Sequence, residues 1–433
     1  MRGSDNMKVS SLAPGVRPRE VWAWAFYDFA NSGYTTVVIT AVFNAYFVAV
    51  VAGGAPWATF AWTASLAASY ALIMLSAPLL GAYADARAAK KRALLFTTAG
   101  CVVFTAGLAL VGRGDLGLGV ALVILSNFFF GSGENLIAAF LPEIAHGEAM
   151  GKVSGWGWSL GYCGGLVALG ACLAYVDHAQ AQGATATEFV PVTMLITAAL
   201  FAVASLPTFI LLRERAQPIA GAADRARGAF ARVAETLRHA RHHVDLWRFL
   251  ACVVFYQAGI QTVVALAAVY AQEVMGFTTR DTLTLILVVN VTAVAGAFSF
   301  GHVQDRIGHV RTLMLTLIGW LVAVVLAWMA EGETTFWVVA NLVGLCLGSS
   351  QSAGRALVGY LSPPRRSAEF FGLWGLSVKL SAILGPVTYG LVTWITHGNH
   401  RLAMLVTGVF FVIGIGILAG LDVARGRKAA LGE

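Results

Sequence analysis

The sequence predicts an all-α polytopic membrane protein, with twelve transmembrane helices in two pseudo-symmetric six-helix bundles. Three observations lead there. Of the 433 residues, 58% are hydrophobic and only 12% charged, half the roughly 25% charge of a soluble domain. Twelve apolar runs long enough to cross a bilayer follow one another, in line with a mean hydropathy of +0.74. Motifs of the first six runs reappear in the last six.

A membrane helix needs about 20 apolar residues. Such runs occur at 22–51, 57–84, 93–112, 116–140, 153–176, 188–212, 247–272, 282–303, 311–330, 335–360, 368–395 and 402–422. Interior glycines and prolines, as in "GYCGG" and "ILGP", fit this assignment, because neighbouring helices re-satisfy the backbone and small residues allow close packing. The opening "MRGSDNMK" reads as a tag remnant ahead of Met7. The first run is too long for a cleaved signal peptide and has no suitable Ala-x-Ala site. All five cysteines (Cys101, Cys163, Cys172, Cys252, Cys346) lie inside apolar runs, so they read as small hydrophobes and not as disulfide partners or metal ligands.

The loops orient the chain. The net charge of +7 falls in short loops, where it is a topology signal and not a nucleic-acid surface. Arg87, Lys90, Lys91 and Arg92 follow the second run, and Arg213, Arg215, Arg225, Arg227, Arg232, Arg238, Arg241 and Arg248 follow the sixth. The tails add Arg2, Lys8, Arg17, Arg19, Arg425, Arg427 and Lys428. The alternate loops "AGGAP", "VDHAQAQGATATE" and "EGETT" hold no Lys or Arg. Positive-inside therefore predicts that both termini and the central loop are cytoplasmic. The expected division is a tail at 1–21, a first bundle at 22–212, a linker at 213–246, a second bundle at 247–423 and a tail at 424–433. Within the linker, Phe230, Val233, Ala234 and Leu237 share one helical face and arginines occupy the rest. That suits a helix on the anionic inner leaflet, and equally a solvated linker helix.

The halves repeat. "GAYADAR" at 81–87 and "GHVQDRI" at 301–307 both read Gly-x-x-x-Asp, with Arg92 and Arg311 behind them. "FYDFANSGYTTVV" is echoed by "FYQAGIQTVV", and "GWGWSLGYCGG" by "GLWGLSVKLSAILGP". Three matches in register, one half apart, predict a duplication with a site at the midplane between the halves. At these residues the chain resembles the major facilitator superfamily, whose loop signature is the Gly-x-x-x-Asp element with its basic residues. A narrower resemblance rests on "WAFYDFANS" (Trp24–Ser32), "AFLPEIA" (Ala139–Ala145) and "GKVSGWGWSLGYCGG" (Gly151–Gly165). It is to the bacterial branch related to the fungal autophagy-linked vacuolar amino-acid effluxer. The resemblance implies that the first, fourth, seventh and tenth helices line a central cavity. It also implies that Gly81, Asp85, Arg92, Gly301, Asp305 and Arg311 belong to gating loops; by their place at helix ends, Asp85 and Asp305 can cap a neighbouring helix or pair with Arg92 and Arg311.

Polar residues inside the spans are the candidate site. An aspartate at the centre of a membrane helix is unfavourable by about 3 kcal/mol on insertion scales, so Asp28 needs a partner, a wet cavity or a substrate. Asp28, Asn31, Ser32 and Thr35 fall at i, i+3, i+4 and i+7 and share one helix face. Asn127, Gly131 and Glu134 share a face of the fourth span, with Asn135 beside them. Gln257 and Gln261 sit one turn apart in the seventh, Gln351, Ser352 and Arg355 cluster in the tenth, and Lys379 stands among apolar neighbours in the eleventh. The acids Asp28 and Glu134 are in the first half, and the bases Arg355 and Lys379 in the second. A cavity between the halves then has an acidic and a basic wall, which suits a zwitterion, with guanidinium forking a carboxylate. The competing reading is that the acids pair with the bases and tie the halves together. Tyr27, Tyr34, Trp156, Trp158, Tyr162 and Trp374 are candidates for aromatic walls, with ordinary packing as the alternative.

No Gly-x-x-x-x-Gly-Lys-Ser/Thr occurs, and "GSGEN" lacks the lysine, so ATP is not the expected energy source. The nine histidines lie mostly in loops and show no zinc spacing. No cofactor, metal or enzymatic chemistry is expected. The leading expectation is a monomeric, multi-pass transporter of the bacterial inner membrane that exports small polar metabolites. Amino acids or short peptides are its expected cargo, with protons as coupling ion exchanging at Asp28 or Glu134. The alternatives are an exporter of amphiphiles or drugs and, from another class, a non-transporting receptor or scaffold.

Overall fold

A computed structural model describes residues 12–218 and 243–432. The opening octapeptide with Met7, and the linker stretch holding Phe230, Val233, Ala234 and Leu237, lie outside the described residues. Among those described, twelve helices are long and apolar enough to cross a membrane. The first six are α1 (Pro18–Val51), α2 (Ala58–Arg87), α3 (Lys90–Leu110), α4 (Leu116–Ile144), α5 (Met150–Ala181) and α6 (Ala186–Leu211). The second six are α7 (Val244–Met275), α8 (Thr279–Ile307), α9 (His309–Met329), α10 (Glu333–Leu361), α11 (Ser367–Ile395) and α12 (His400–Ala419). A short α13 (Val423–Leu431) follows. An even number of spans brings both chain ends to one side, the terminus face.

Several helices overrun their apolar runs, α5 and α8 at both ends. Hydropathy marks the lipid-immersed length, whereas the backbone ladder continues until a cap or glycine stops it. Thr185 and Glu188 cap α6, with the Thr185 amide donating to the Glu188 carboxylate at 2.7 Å. Between α8 and α9 stands Gly308 alone, at φ 92°, a left-handed value that favours glycine. In α1 the run Thr35–Ala41 is wound as π-helix, and so is Phe47–Val51. Thr40 supports the wider turn by donating its hydroxyl to the Thr35 carbonyl at 3.1 Å, five residues back.

The helix pairs obey the repeat. Helix α1 packs on α5 and α6 as α7 packs on α11 and α12, and α3 packs on α4 as α9 packs on α10. Across the halves, α2 meets α11 as α8 meets α5, and α4 meets α11 as α10 meets α5. The crossings are made by small residues. A Cβ on Gly301 would lie 2.9 Å from the Gly151 carbonyl oxygen, and one on Gly81 would strike the Ala368 carbonyl. Each half is also clasped where its first helix begins, by an arginine from beyond its sixth. Arg215 donates to Glu20 at 2.9 and 3.0 Å, and Arg425 to Asp245 at 2.7 and 2.8 Å. The outer surface is apolar, with Phe60 75% and Trp394 78% exposed, as a lipid-facing ring requires.

At the glycine crossings backbone lies against backbone, so a side chain added there must push the helices apart. Gly301→Leu should therefore wedge α8 from α5 and lengthen the distance between spin labels at Arg92 and Arg365, both on the terminus face, in double electron–electron resonance. An unchanged distance distribution would show that this contact does not hold the face closed.

Candidate functional site

The four polar residues of α1 that share a face (Asp28, Asn31, Ser32 and Thr35) line a cavity of about 130 Å³. Phe130, Glu134 and Ala138 of α4, Trp158 of α5, Arg355 of α10 and Trp374 of α11 complete it. Both halves therefore contribute walls. The α4 stripe that reaches the cavity is Phe130, Glu134 and Ala138, one helical turn apart each, and not the face of Asn127 and Gly131. Asn127 instead donates its amide to Ser69 on α2.

The acids meet the bases directly. Arg355 donates from Nη1 to Asp28 Oδ2 at 2.7 Å, and both side chains are almost fully buried. It is also held from α5, with Nε donating to Ser154 Oγ at 3.1 Å and Nη2 to the Ser154 carbonyl at 2.9 Å. The guanidinium lies between two indoles, 4.6 Å from the Trp24 ring and 5.3 Å from that of Trp158. Gly157 makes room for the pair, since a Cβ there would collide with Asp28 Oδ2 and lie 2.6 Å from Arg355 Nη2. The second pair is looser and wetter. Lys379 Nζ is 3.5 Å from Glu134 Oε2, with side-chain exposures of 12% and 31%, and sits 5.2 Å above the Tyr70 ring.

The other candidates divide. Gln257 donates to Gln351 at 2.7 Å, joining α7 to α10, and Gln261 stands half-buried one turn further along α7. Tyr27 and Tyr34 turn away from the cavity into the core of the first half. The Tyr27 hydroxyl pairs with Thr98 at 2.6 Å and its ring meets Phe201 and Phe209 edge-on, while Tyr34 pairs with Ser126 at 2.9 Å and stacks on Phe130 at 4.8 Å. Tyr162 is buried behind Trp158, their ring centroids 5.8 Å apart. Trp156 stacks on the exposed Trp22 at 5.8 Å. Trp158 and Trp374 do line the cavity. Sequence reasoning missed Trp24, Ser154 and Gly157 around Arg355, and Tyr70 beside Lys379. Helical spacing from Glu134 was a signal for Phe130 and Ala138. Nothing in the sequence singled out the contact with Trp24, which needs long side chains of α1 and α10 to meet across the two halves.

At the terminus face each Gly-x-x-x-Asp aspartate caps a helix of the other half. Asp85 accepts from the Ala368 and Glu369 amides of α11 at 3.2 and 2.9 Å, and Asp305 from the Lys152 amide of α5 at 3.2 Å. A carboxylate at a helix start meets unpaired amides and the positive end of the dipole. The base beside Asp85 is Lys90 at 3.4 Å and not Arg92, which is exposed. Lys90 opens α3 and points inward, fully buried, and also reaches Glu143 at 2.6 Å and Ser367 Oγ at 2.7 Å. Arg92, two residues on, is turned outward by the helix. Arg311 is likewise exposed.

The family profile described as "Vacuole effluxer Atg22 like" matches residues 57–431. The uncharacterized MFS-type transporter YxiO of Bacillus subtilis is 27% identical over 402 residues, covering 92% of this chain and 93% of its own. Autophagy-related protein 22 of Kluyveromyces lactis is 28% identical over 207 residues, which is 45% of this chain and 42% of that relative. A variant of the E. coli fucose:proton symporter FucP superposes with a TM-score of 0.70 at 12% identity, covering 93% of this chain and 98% of its own, a likeness of fold.

Removing one member of a buried pair leaves the other charge unpaired, at a loss of about 3–5 kcal/mol. Arg355→Gln should thus lower the unfolding temperature of the purified protein more than Arg355→Gln combined with Asp28→Asn. A double variant no more stable than the single one would show that the two charges are not coupled.

Proposed function

The chain belongs to the vacuole effluxer Atg22-like family of major facilitator transporters, and on that premise we propose that it exports small zwitterionic metabolites, amino acids or short peptides, in exchange for protons. It is an integral multi-pass membrane transporter and not an enzyme. The observation that carries the finer reading is the pair of acid–base contacts between the halves, Asp28 with Arg355 and Glu134 with Lys379, at a cavity both halves line. Two acids and two bases leave the site without net charge, so a cargo of zero net charge enters without an unmatched charge in a poor solvent. As the halves rock, contacts between them must loosen, and a zwitterion or a proton can satisfy the separated charges. Glu134, the more exposed acid, and Asp28 are the proton-exchanging groups in this reading.

Export is supported by the effluxer description of the family, and proton coupling by the shared fold with a proton symporter, which is an analogy of fold. The alternative of an amphiphile or drug exporter finds less support in a small cavity lined by Asp28, Glu134 and Arg355. The gating reading of Asp85 and Asp305 is supported by their placement across the two halves, where their bonds must break for the terminus face to open. We place that face in the cytoplasm of a bacterial inner membrane, because Arg and Lys crowd its loops while Arg113, Arg280 and Arg401 are the minority opposite. The protein is read as a monomer that takes no nucleic acid.

Two outcomes test this. A cysteine replacing Gln182 should react with an impermeant thiol reagent applied to whole cells, and one replacing Arg365 should not. The reverse would invert the orientation. In proteoliposomes with an imposed pH gradient, Asp28→Asn should retain counterflow of a radiolabelled amino acid but lose uphill transport if Asp28 carries the proton, and lose both if it binds cargo. Parent-like uphill transport by Asp28→Asn would make the acid purely structural.

A further inference from the structure

We propose that the cargo's carboxylate is held by the indole N–H groups of Trp158 and Trp374, and its ammonium by the amide oxygen of Asn31. This rests on the amino-acid reading above, and it departs from the simpler expectation that Arg355 forks the carboxylate and Asp28 takes the ammonium. Arg355 already gives one N–H to Asp28 from Nη1 and one each to Ser154 from Nε and Nη2, so neither side chain is free to turn wholly to a cargo. Glu134 and Lys379 are likewise paired. Beside these charged pairs, three neutral groups at the cavity have a buried polar atom without a partner. Trp158 Nε1, Trp374 Nε1 and Asn31 Oδ1 are buried side-chain atoms with no hydrogen-bond partner in the protein, and all three residues line the one cavity. A buried donor or acceptor left unmade is unfavourable, and native interiors rarely tolerate three at one place.

Two donors and one acceptor match an α-amino acid end. A carboxylate offers acceptors only, one oxygen for each indole, and an ammonium offers only donors. Arg355 lies 5.3 Å from the Trp158 ring, so its positive charge favours an anionic group beside that indole without the guanidinium leaving Asp28. Asn31 and Trp158 belong to the first half and Trp374 to the second. A carboxylate spanning both indoles is therefore gripped only while the halves stand as they do here, which gives the cargo a differential affinity for this state. The set also rejects a primary amide, whose NH₂ would face an indole N–H, donor against donor.

The test is calorimetric titration of the full-length detergent-solubilised protein with each of the twenty amino acids, beginning with L-valine, and with the matching amide, L-valinamide. Trp158→Phe and Trp374→Phe should each weaken L-valine binding about tenfold or more, the loss of one hydrogen bond to a charged group. They should weaken the amide less, so the preference for the acid falls. Asn31→Leu should weaken acid and amide together and keep that preference, since both carry the ammonium, which gives an independent reading if a Phe variant does not fold. Trp22→Phe, at an exposed residue outside the cavity lining, should change neither affinity. Unchanged L-valine affinity in both Phe variants, or equal weakening of acid and amide, would overturn the assignment of the indoles while leaving the transport reading intact. If the parent binds none of the twenty amino acids, the amino-acid reading itself fails and this assignment with it.

Discussion

The Asp28–Arg355 contact is the constraint around which the rest is arranged. A charge of either sign at this depth in a bilayer is unfavourable alone, and the two become tolerable together because each hydrogen-bonds the other and Arg355 is further held by Ser154. That demand explains local choices that look unrelated. Gly157 has no side chain because the pair occupies that space. Trp24 and Trp158 flank the guanidinium because an aromatic face is among the few apolar surfaces that attract a cation. Three helices, α1, α5 and α10, are thus fixed to one another by a single charge pair.

The same logic acts at the terminus face with other chemistry. There the halves are joined by carboxylates accepting from backbone amides at helix starts, Asp85 at α11 and Asp305 at α5. The glycines four residues earlier let the helices approach closely enough for that to happen. Helix starts and charge pairs are both discrete contacts, made or broken as units, and so suit a molecule that must hold one arrangement firmly and then abandon it. The half-clasps Glu20–Arg215 and Asp245–Arg425 stay within a half, each tying its first helix to the segment beyond its sixth.

The cavity sits where these two layers leave room. Asp28, Glu134 and Arg355 line it, each paired with a charge of the other half, and beside them two indoles and one amide hold buried polar atoms without a partner, set against Phe130 and Ala138. At Thr35, the last residue of the polar stripe, α1 changes to π-helix. A π turn widens the ladder and rotates the residues beyond it, so the face of α1 that meets the cavity does not simply continue toward the opposite side.

Much of this was legible in the sequence. Composition and twelve apolar runs determine a polytopic helical protein, because hydrocarbon leaves the backbone little other choice. The repeat determines that helices pair as two related sets, and the i, i+3, i+4, i+7 spacing determines that Asp28, Asn31, Ser32 and Thr35 face the same way. Residue periodicity is a property of one helix, and a single chain segment suffices to compute it. What only the tertiary structure decided is which faces meet. Tyr27 and Tyr34 flank the Asp28 stripe in sequence yet point into the core, Asn127 serves α2, and Lys90 displaces Arg92 beside Asp85. The acidic and basic walls that the sequence sets in opposite halves are, in space, already joined. Rotation of each helix about its axis and its depth relative to its neighbours are set by packing between segments far apart in the chain, and no local pattern encodes them.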